Sequence, residues 1–292
     1  MTACSSKTAE PITFKIPTTC TYYSLQSAEC LNKEQFMKHV EPYKVIFVGD
    51  HHHSLEAHQV VIELINGLSK DGYKVLLANE WFSSQENGLL EQYVAGELDS
   101  NISKALGWKK RVGYDFNLSE PIFNAVIKEK GILYGINMDK SFRKKISDYN
   151  LSGMTNEEKK FVATLDLNVS AHKQLLAPFF SHCHKTRKGE DAQKCMERMY
   201  RVQVAWDSMM GEESAKLAEK LQENEKLIVF VGAMHLDSKL GVNLRFARES
   251  KIPSITVLPY PKDTQRQKDI AVDLGNSDII YLYEESTLID YP

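Results

Sequence analysis

Short runs of β-branched and aliphatic residues recur along the chain, each bounded by polar positions: Lys44 to Val48, Lys74 to Ala78, Gly131 to Ile136, Leu227 to Val231, Ser254 to Leu258 and Ile279 to Tyr283. Unbroken apolar runs of this length are the mark of strands covered on both faces, so each predicts a strand of a parallel sheet. Helical periodicity fills the stretches between them. After the first run Ser54 is placed to cap a helix, and Val60, Val61, Leu64, Ile65 and Leu68 share one face before the pattern stops at Asp71-Gly72. This is a strand, a helix and a second strand. Right-handed crossovers build such units into an open sheet with helices on both faces.

Between Asp139 and Glu223 no strand pattern occurs; the residues are rich in Lys, Glu, Met and Leu at helical spacing, Met196 to Leu221 above all. The expected fold class is therefore α/β. Residues 21–139 and 224–292 form a mainly parallel open sheet flanked by helices, residues 140–223 an inserted, smaller α-helical bundle, and residues 1–20 an extended tether. A bundle beside the carboxyl edge of the sheet creates a cleft, a common position for a ligand.

A hydrophobic share of 42% and a charged share of 26% are those of a globular protein, and no apolar run reaches the length of a membrane span. The formal net charge of -3 argues against a nucleic-acid partner. Met1-Thr2-Ala3-Cys4 reads as the remnant of a bacterial lipoprotein export signal, with Ala3 before an acylatable Cys4. It predicts a full-length form anchored by lipid to a bacterial membrane, the outer membrane by preference, and facing the periplasm or the surface. The other four cysteines fall as two local pairs, Cys20 with Cys30 and Cys183 with Cys195, which suits an oxidising compartment. Loops of this size add about 2 to 3 kcal/mol each when closed, although four cysteines allow three connectivities.

Open parallel sheets bind ligands beyond the carboxyl ends of their strands, so the residues that follow each run are the candidates for chemistry. The first run delivers Gly49, Asp50, His51, His52 and His53, with His58 one turn into the helix; the second delivers Asn79 and Glu80, the third Asn137 and Asp139, the fourth Gly232 and His235. Imidazoles and carboxylates from four strand ends suit metal binding, proton transfer or the anchoring of an acidic ligand. One reading is a metal-dependent, peptidase-like hydrolase, with His52, Glu80 and His235 holding a divalent ion and an activated water. Plainer roles compete: a histidine run in a solvated loop, a core histidine at His58, and a Glu80 carboxylate satisfied by a helix amino terminus. Phosphate loops, dinucleotide-binding glycine motifs, esterase elbows and His-Glu-x-x-His zinc helices are absent.

Taken in order, Gly49-Asp50-His51-His52, His58-Gln59, Asn79-Glu80-Trp81-Phe82, Tyr134-Gly135-Ile136-Asn137, His182-Cys183, Gln203 with Asp207-Ser208-Met209-Met210, and Gly232-Ala233-Met234-His235 with Gly241-Val242 resemble the ChaN family of iron-regulated haem-binding bacterial lipoproteins. That family shares a wider superfamily with the Tiki proteases and erythromycin esterases. The resemblance runs from about residue 44 to residue 260. It departs at Asp50, where the family usually has glutamate, and the shorter carboxylate weakens the case for hydrolytic metal chemistry.

The resemblance implies a carrier of ferric haem, with iron held by a tyrosine oxygen at the interface of a homodimer, a histidine on a propionate, and an outer-membrane haem receptor as partner. A phenolate is a hard anionic ligand that favours ferric iron, which suits carriage rather than oxygen activation. Tyr114 and Tyr200 are the candidate iron ligands. His51, His52, His53, His58, His235, Arg111 and the Lys109-Lys110 pair are candidate haem partners. Cations near Tyr114 are expected to lower its pKa.

Overall fold

A computed structural model describes residues 13–98, 102–180, 183, 187, 190–262 and 269–285. The amino-terminal Cys4 lies outside the described residues. Three short strands, β1 (Thr13–Ile16), β2 (Tyr22–Ser24) and β3 (Glu29–Leu31), precede helix α1 (Lys33–Val40). The expected unit follows as β4 (Val45–Asp50), α2 (Leu55–Lys70) and β5 (Lys74–Ser83). Helices α3 (Asn87–Val94), α4 (Ile102–Ala105), α5 (Trp108–Arg111) and α6 (Glu120–Lys128) lead to β6 (Ile132–Asn137). Next come α7 (Lys140–Asp148), α8 (Asn156–Thr164), α9 (Ser170–Leu176) and the long α10 (Ala192–Ala218). Strand β7 (Glu225–Gly232), α11 (Val242–Glu249), β8 (Ser254–Pro261), β9 (Ile270–Asp273) and β10 (Ile279–Tyr283) complete the order.

The main sheet has eight strands in the order β3-β2-β10-β8-β4-β7-β5-β6, parallel from β10 to β6 and antiparallel where β2 joins β10 and β3 joins β2. All six expected strands are in it. Every residue of β4 is buried, as a central strand covered on both faces requires. The α2 face predicted from periodicity packs on one side, with Val60, Val61, Leu64, Ile65 and Leu68 fully buried. On the other side α10 and α11 supply Met210, Ala215, Ala218, Val242 and Phe246.

Among the described residues no strand lies between Asn137 and Glu225, as expected. The carboxyl half of α10 belongs to the sheet's core, and its amino half packs in smaller clusters with Leu176 and Phe180 from the α9 region and, through Ala205, with Phe142 and Ile146 of α7. Gly211 sits where α10 crosses α11: a Cβ there would stand 2.6 Å from Arg245 Cβ, so the crossing depends on its lacking one. Both cysteine pairs are disulfides, Cys20–Cys30 with Cα atoms 5.4 Å apart and Cys183–Cys195 with 5.6 Å. No helix among the described residues is long and apolar enough to cross a membrane.

Candidate functional site

Strand β4 ends with Asp50 buried, and the chain turns sharply because Ser54 Oγ accepts from the Ala57 amide at 3.1 Å to cap α2. That turn returns His58 to Asp50. One carboxylate oxygen is 2.7 Å from His58 Nε2 and the other 2.6 Å from His52 Nδ1. His58 also donates from Nδ1 to the Leu118 carbonyl at 2.8 Å, so it is buried with both nitrogens engaged and presents neither to the cleft.

Glu80 reaches the same place through a break in the β5–β6 ladder between Asn79 and Ser83. Two asparagines pin the break. Asn79 donates to the Tyr134 carbonyl at 2.9 Å and accepts from the Trp81 amide, and Asn137 donates to the Glu80 carbonyl. At the end of β7, His235 Nδ1 meets Asp207 of α10 at 2.5 Å, with Gln203 Nε2 at 2.9 Å. Two imidazoles are thus each held at Nδ1 by a buried aspartate. Their Nε2 atoms face the two oxygens of one carboxylate, His52 to Glu80 Oε1 at 3.4 Å and His235 to Glu80 Oε2 at 3.6 Å. Gly232 keeps the middle open, since a Cβ would lie 3.4 Å from Glu80, His52 and His235 alike.

Burial works against charge on His52, but the hydrogen bond and charge of Asp50, with Glu80 beyond, lift its pKa to about 9. His235 is likewise raised against burial by Asp207 and Glu80. For Asp50 burial opposes ionisation, and the bonds from His52 and His58 overcome it and hold the carboxyl well below its usual range. An imidazole fixed at Nδ1 by a carboxylate, with Nε2 directed at an open point, is how proteins orient metal-binding histidines. Asp50, His52 and Glu80 each offer an atom within 4.8 Å of the others, but both Asp50 oxygens already hold imidazoles. The donor set expected from the sequence is His52, Glu80 and His235, whose Nε2 atoms and carboxylate oxygens face one another without the mutual 4.8 Å approach of that first group. It suits a divalent cation with N and O preference and an open position for water.

Two cavities meet here, about 770 Å³ on the β5–β6 side and about 640 Å³ on the β8–β10 side, with His52, His53, Met234 and His235 lining both. His51 Nδ1 is 2.7 Å from the Tyr283 hydroxyl, and His53 packs by the Tyr114 ring at 5.2 Å. The remaining expected residues do something else. Asp139 caps α7 through the Ser141 and Phe142 amides. Arg111 pairs with Glu86. Tyr114 stacks on His52 at 5.4 Å, its hydroxyl buried beside Ser119 and Trp81 without a well-formed hydrogen bond. The expected fall in its pKa is reversed: burial, then the charges of Asp50 and Glu80, push it up. Tyr200 is also buried and also raised by burial, with its hydroxyl donating to the Val169 carbonyl at 3.2 Å.

The family model for haem-binding uptake, Tiki superfamily, ChaN matches residues 36–246. This chain belongs to that family. The ChaN protein of Campylobacter jejuni, in a structure described as cofacial heme binding, superposes with a TM-score of 0.69 at 19% identity, covering 90% of this chain and 96% of that one. An erythromycin esterase in its open conformation superposes at 0.52 with 10% identity, covering 93% and 100%. At these identities the likeness is one of fold. A search of curated proteins finds no match.

Within this ChaN-family chain, reading strand ends finds the sheet's half of the site and misses the helical half. Asp207 is buried on α10 between His235 and His172 of α9, whose Nε2 lies 3.3 Å from its second oxygen. Gln203 and Asp207, one turn apart on a predicted helix, enter the sequence reading only as part of the family resemblance; nothing in the sequence marks His172. Tyr149 is a second omission. It ends α7 in a left-handed conformation, φ 53°, ψ 36°, and is the one exposed tyrosine among the described residues.

Proposed function

We propose that this chain binds ferric haem through a single tyrosine oxygen on a face where two copies meet. Membership of a haem-binding family supports the class of ligand. The observation that carries the reading is Tyr149. An aromatic residue held left-handed at a helix end costs about 1–2 kcal/mol, a strain typical of functional positions. The residue is 60% exposed, and the Arg201 guanidinium lies 4.7 Å from the ring centroid, a cation against the face of a ring whose oxygen would carry negative charge on iron. Leu151, Leu167, Phe179 and Met196, the other exposed large apolar side chains of this stretch, make the same helices a candidate for the meeting of two copies. Tyr114 and Tyr200, with buried hydroxyls, would need rearrangement to reach iron.

Titration with haemin, read by absorbance and molecular mass together, tests this. The wild type should show phenolate charge-transfer bands and a shift from monomer to dimer. Tyr149→Phe should lose the bands, whereas Tyr114→Phe and Tyr200→Phe keep them. Bands that survive Tyr149→Phe overturn the assignment of the ligand. Delivery to or from an outer-membrane receptor, through a lipid on Cys4, belongs to the same proposal; a mature exported form without an acyl mass at Cys4 would remove the anchor.

The paired Asp–His arrangement favours a second reading, a divalent ion at His52, Glu80 and His235 that lowers the pKa of a bound water for hydrolysis. Here Asp50 and Asp207 would orient the imidazoles and Glu80 would complete the donor set. Stoichiometric zinc, manganese or cobalt in the purified protein, lost in Glu80→Gln together with peptidase turnover, is the expected result. Turnover that persists without metal removes this reading.

A further inference from the structure

Behind Asp207 a buried line of polar groups continues into the helical layer. Asp207 takes His235 Nδ1 and Gln203 Nε2 on the same oxygen, Oδ1, and its other oxygen, Oδ2, faces His172 Nε2 at 3.3 Å. Asp207 Oδ2 and His172 Nε2 are both buried with no hydrogen-bond partner elsewhere, so each is the only group available to the other. Across the ring, His172 Nδ1 lies 3.3 Å from Arg245 Nη2. Arg245 is only 4% exposed, and its Nη1 donates to the Leu240 and Gly241 carbonyls. A buried cation needs an opposite charge, yet these bonds run to two carbonyls and an imidazole. The charge that answers it is Asp207, one imidazole away: burial pushes the Arg245 pKa down, and the Asp207 carboxylate is the largest influence opposing that fall.

The same order of groups stands on the other side of the cleft. His58, Asp50 and His52 mirror His172, Asp207 and His235: an outer imidazole on one aspartate oxygen, an inner imidazole on the other, and Glu80 between the two inner rings. The outer rings differ at their far nitrogens. His58 Nδ1 meets the Leu118 carbonyl, which only accepts, so bonding to it and to Asp50 uses a hydrogen on each nitrogen. His172 Nδ1 meets a guanidinium, which only donates, so that nitrogen presents its lone pair and the ring hydrogen sits on Nε2, toward Asp207. Behind Asp207 the positive charge is therefore carried by Arg245 and not by the outer imidazole.

We propose that Arg245 and His172 are positioning residues for His235: the guanidinium sets the tautomer of His172, His172 holds the second oxygen of Asp207, and Asp207 so held aims His235 Nε2 into the cleft. The inference rests on the divalent-ion reading of His52, Glu80 and His235 and deepens it. Without His172, the remaining bonds to Asp207 converge on Oδ1, and nothing fixes the rotation of the carboxylate about them. An outer partner that orients a ligating imidazole is worth about 10- to 100-fold in metal affinity. His172 comes from α9, Asp207 from α10 and Arg245 from α11, so three helices set the direction of a side chain that follows strand β7.

Cobalt(II) is the probe, titrated into the whole chain and followed by its visible bands, which report both occupancy and the donors around the ion. His172→Gln keeps an amide N–H for Asp207 and a carbonyl for Arg245, whereas the side chain of His172→Asn reaches only as far as Nδ1 did. His172→Asn should bind cobalt about tenfold or more weakly, with bands displaced toward those of His235→Ala, while His172→Gln stays within about threefold of wild type. Arg245→Lys keeps a cation but cannot serve two carbonyls and an imidazole together, so it should shift affinity and bands in the direction of His172→Asn. Circular dichroism and melting midpoints establish that the variants are folded; where His172→Asn is not, Arg245→Lys carries the test. Wild-type affinity and bands in His172→Asn overturn the positioning role and leave the divalent-ion reading standing, as does a loss of affinity with the bands unmoved. Wild-type protein that takes up no cobalt, or whose cobalt bands survive Glu80→Gln, overturns both.

Discussion

Asp50 carries two imidazoles on one buried carboxylate, and its substitution should be felt on both sides of neutrality. Removing one partner from a buried charged set costs about 3–5 kcal/mol, so Asp50→Asn should be strongly destabilised near neutral pH. The sign with pH follows from linkage. Asp50, lowered in the fold, contributes stability that is present above the unfolded value of about 3.9 and is lost as pH falls. His52, raised to about 9, contributes stability that is complete below the unfolded value of about 6.5 and is lost as pH rises toward about 9. The gap in melting midpoint between wild type and Asp50→Asn, measured in chelator, should therefore be widest between roughly pH 4 and 6.5 and shrink at both ends. A gap that is flat with pH rules out this account. His52, Glu80 and His235 were legible because strand order alone sends consecutive strand ends to one edge. The pKa of Tyr114 moves opposite to the expected direction because burial and then the charges of Asp50 and Glu80 decide it, while Arg111, three residues before it, pairs with Glu86. His172 and Tyr149 belong to helices, where no comparable rule singles out a position.

Elements show the same division between what pattern dictates and what packing decides. Strands β4 to β8 and β10 were visible because burial on both faces leaves unbroken apolar runs. The short β1, β2, β3 and β9 were not, because three or four residues at an edge or in a two-stranded ribbon carry too little periodicity. Helices occupy the described part of the stretch from 140 to 218, but the attachment of α10 to the sheet depends on contacts that periodicity does not encode. Gly211 is where that attachment can be tested. With Arg245 Cβ and the Phe246 amide nitrogen 2.6 and 2.9 Å from an added Cβ, Gly211→Ala must spread α10 from α11 and should cost about 1–3 kcal/mol. Gly88 of α3 has open space around an added Cβ, so Gly88→Ala should leave stability unchanged or slightly raised. Urea midpoints of the two variants measure the contrast, and equal midpoints would mean that the crossing gives way without strain.

For the whole molecule, α10 decides whether the helical layer can move independently. One helix of 27 residues places Met210, Ala215 and Ala218 in the core under the sheet, and Tyr200, Val204 and Ala205 in the clusters built with α7 and the α9 region. Losing the layer alone would require α10 to break in the middle, exposing backbone groups and apolar side chains at the break. Unfolding should therefore be one transition. Trp206 stands where the layer meets the sheet's core under α10, whereas Trp81 and Trp108 sit in the sheet's other core, so comparing the fluorescence of wild type and Trp206→Phe separates the layer side from the far side. Both signals should share a midpoint with far-ultraviolet circular dichroism. If haem also joins two copies through the layer, a ligand at a hundred times its Kd adds about 2.7 kcal/mol of stability. Because the layer and the sheet are one unit, that gain should raise both fluorescence midpoints equally, by more at higher protein concentration. A layer signal that moves with haemin while the sheet signal stays fixed would show that α10 does not couple them.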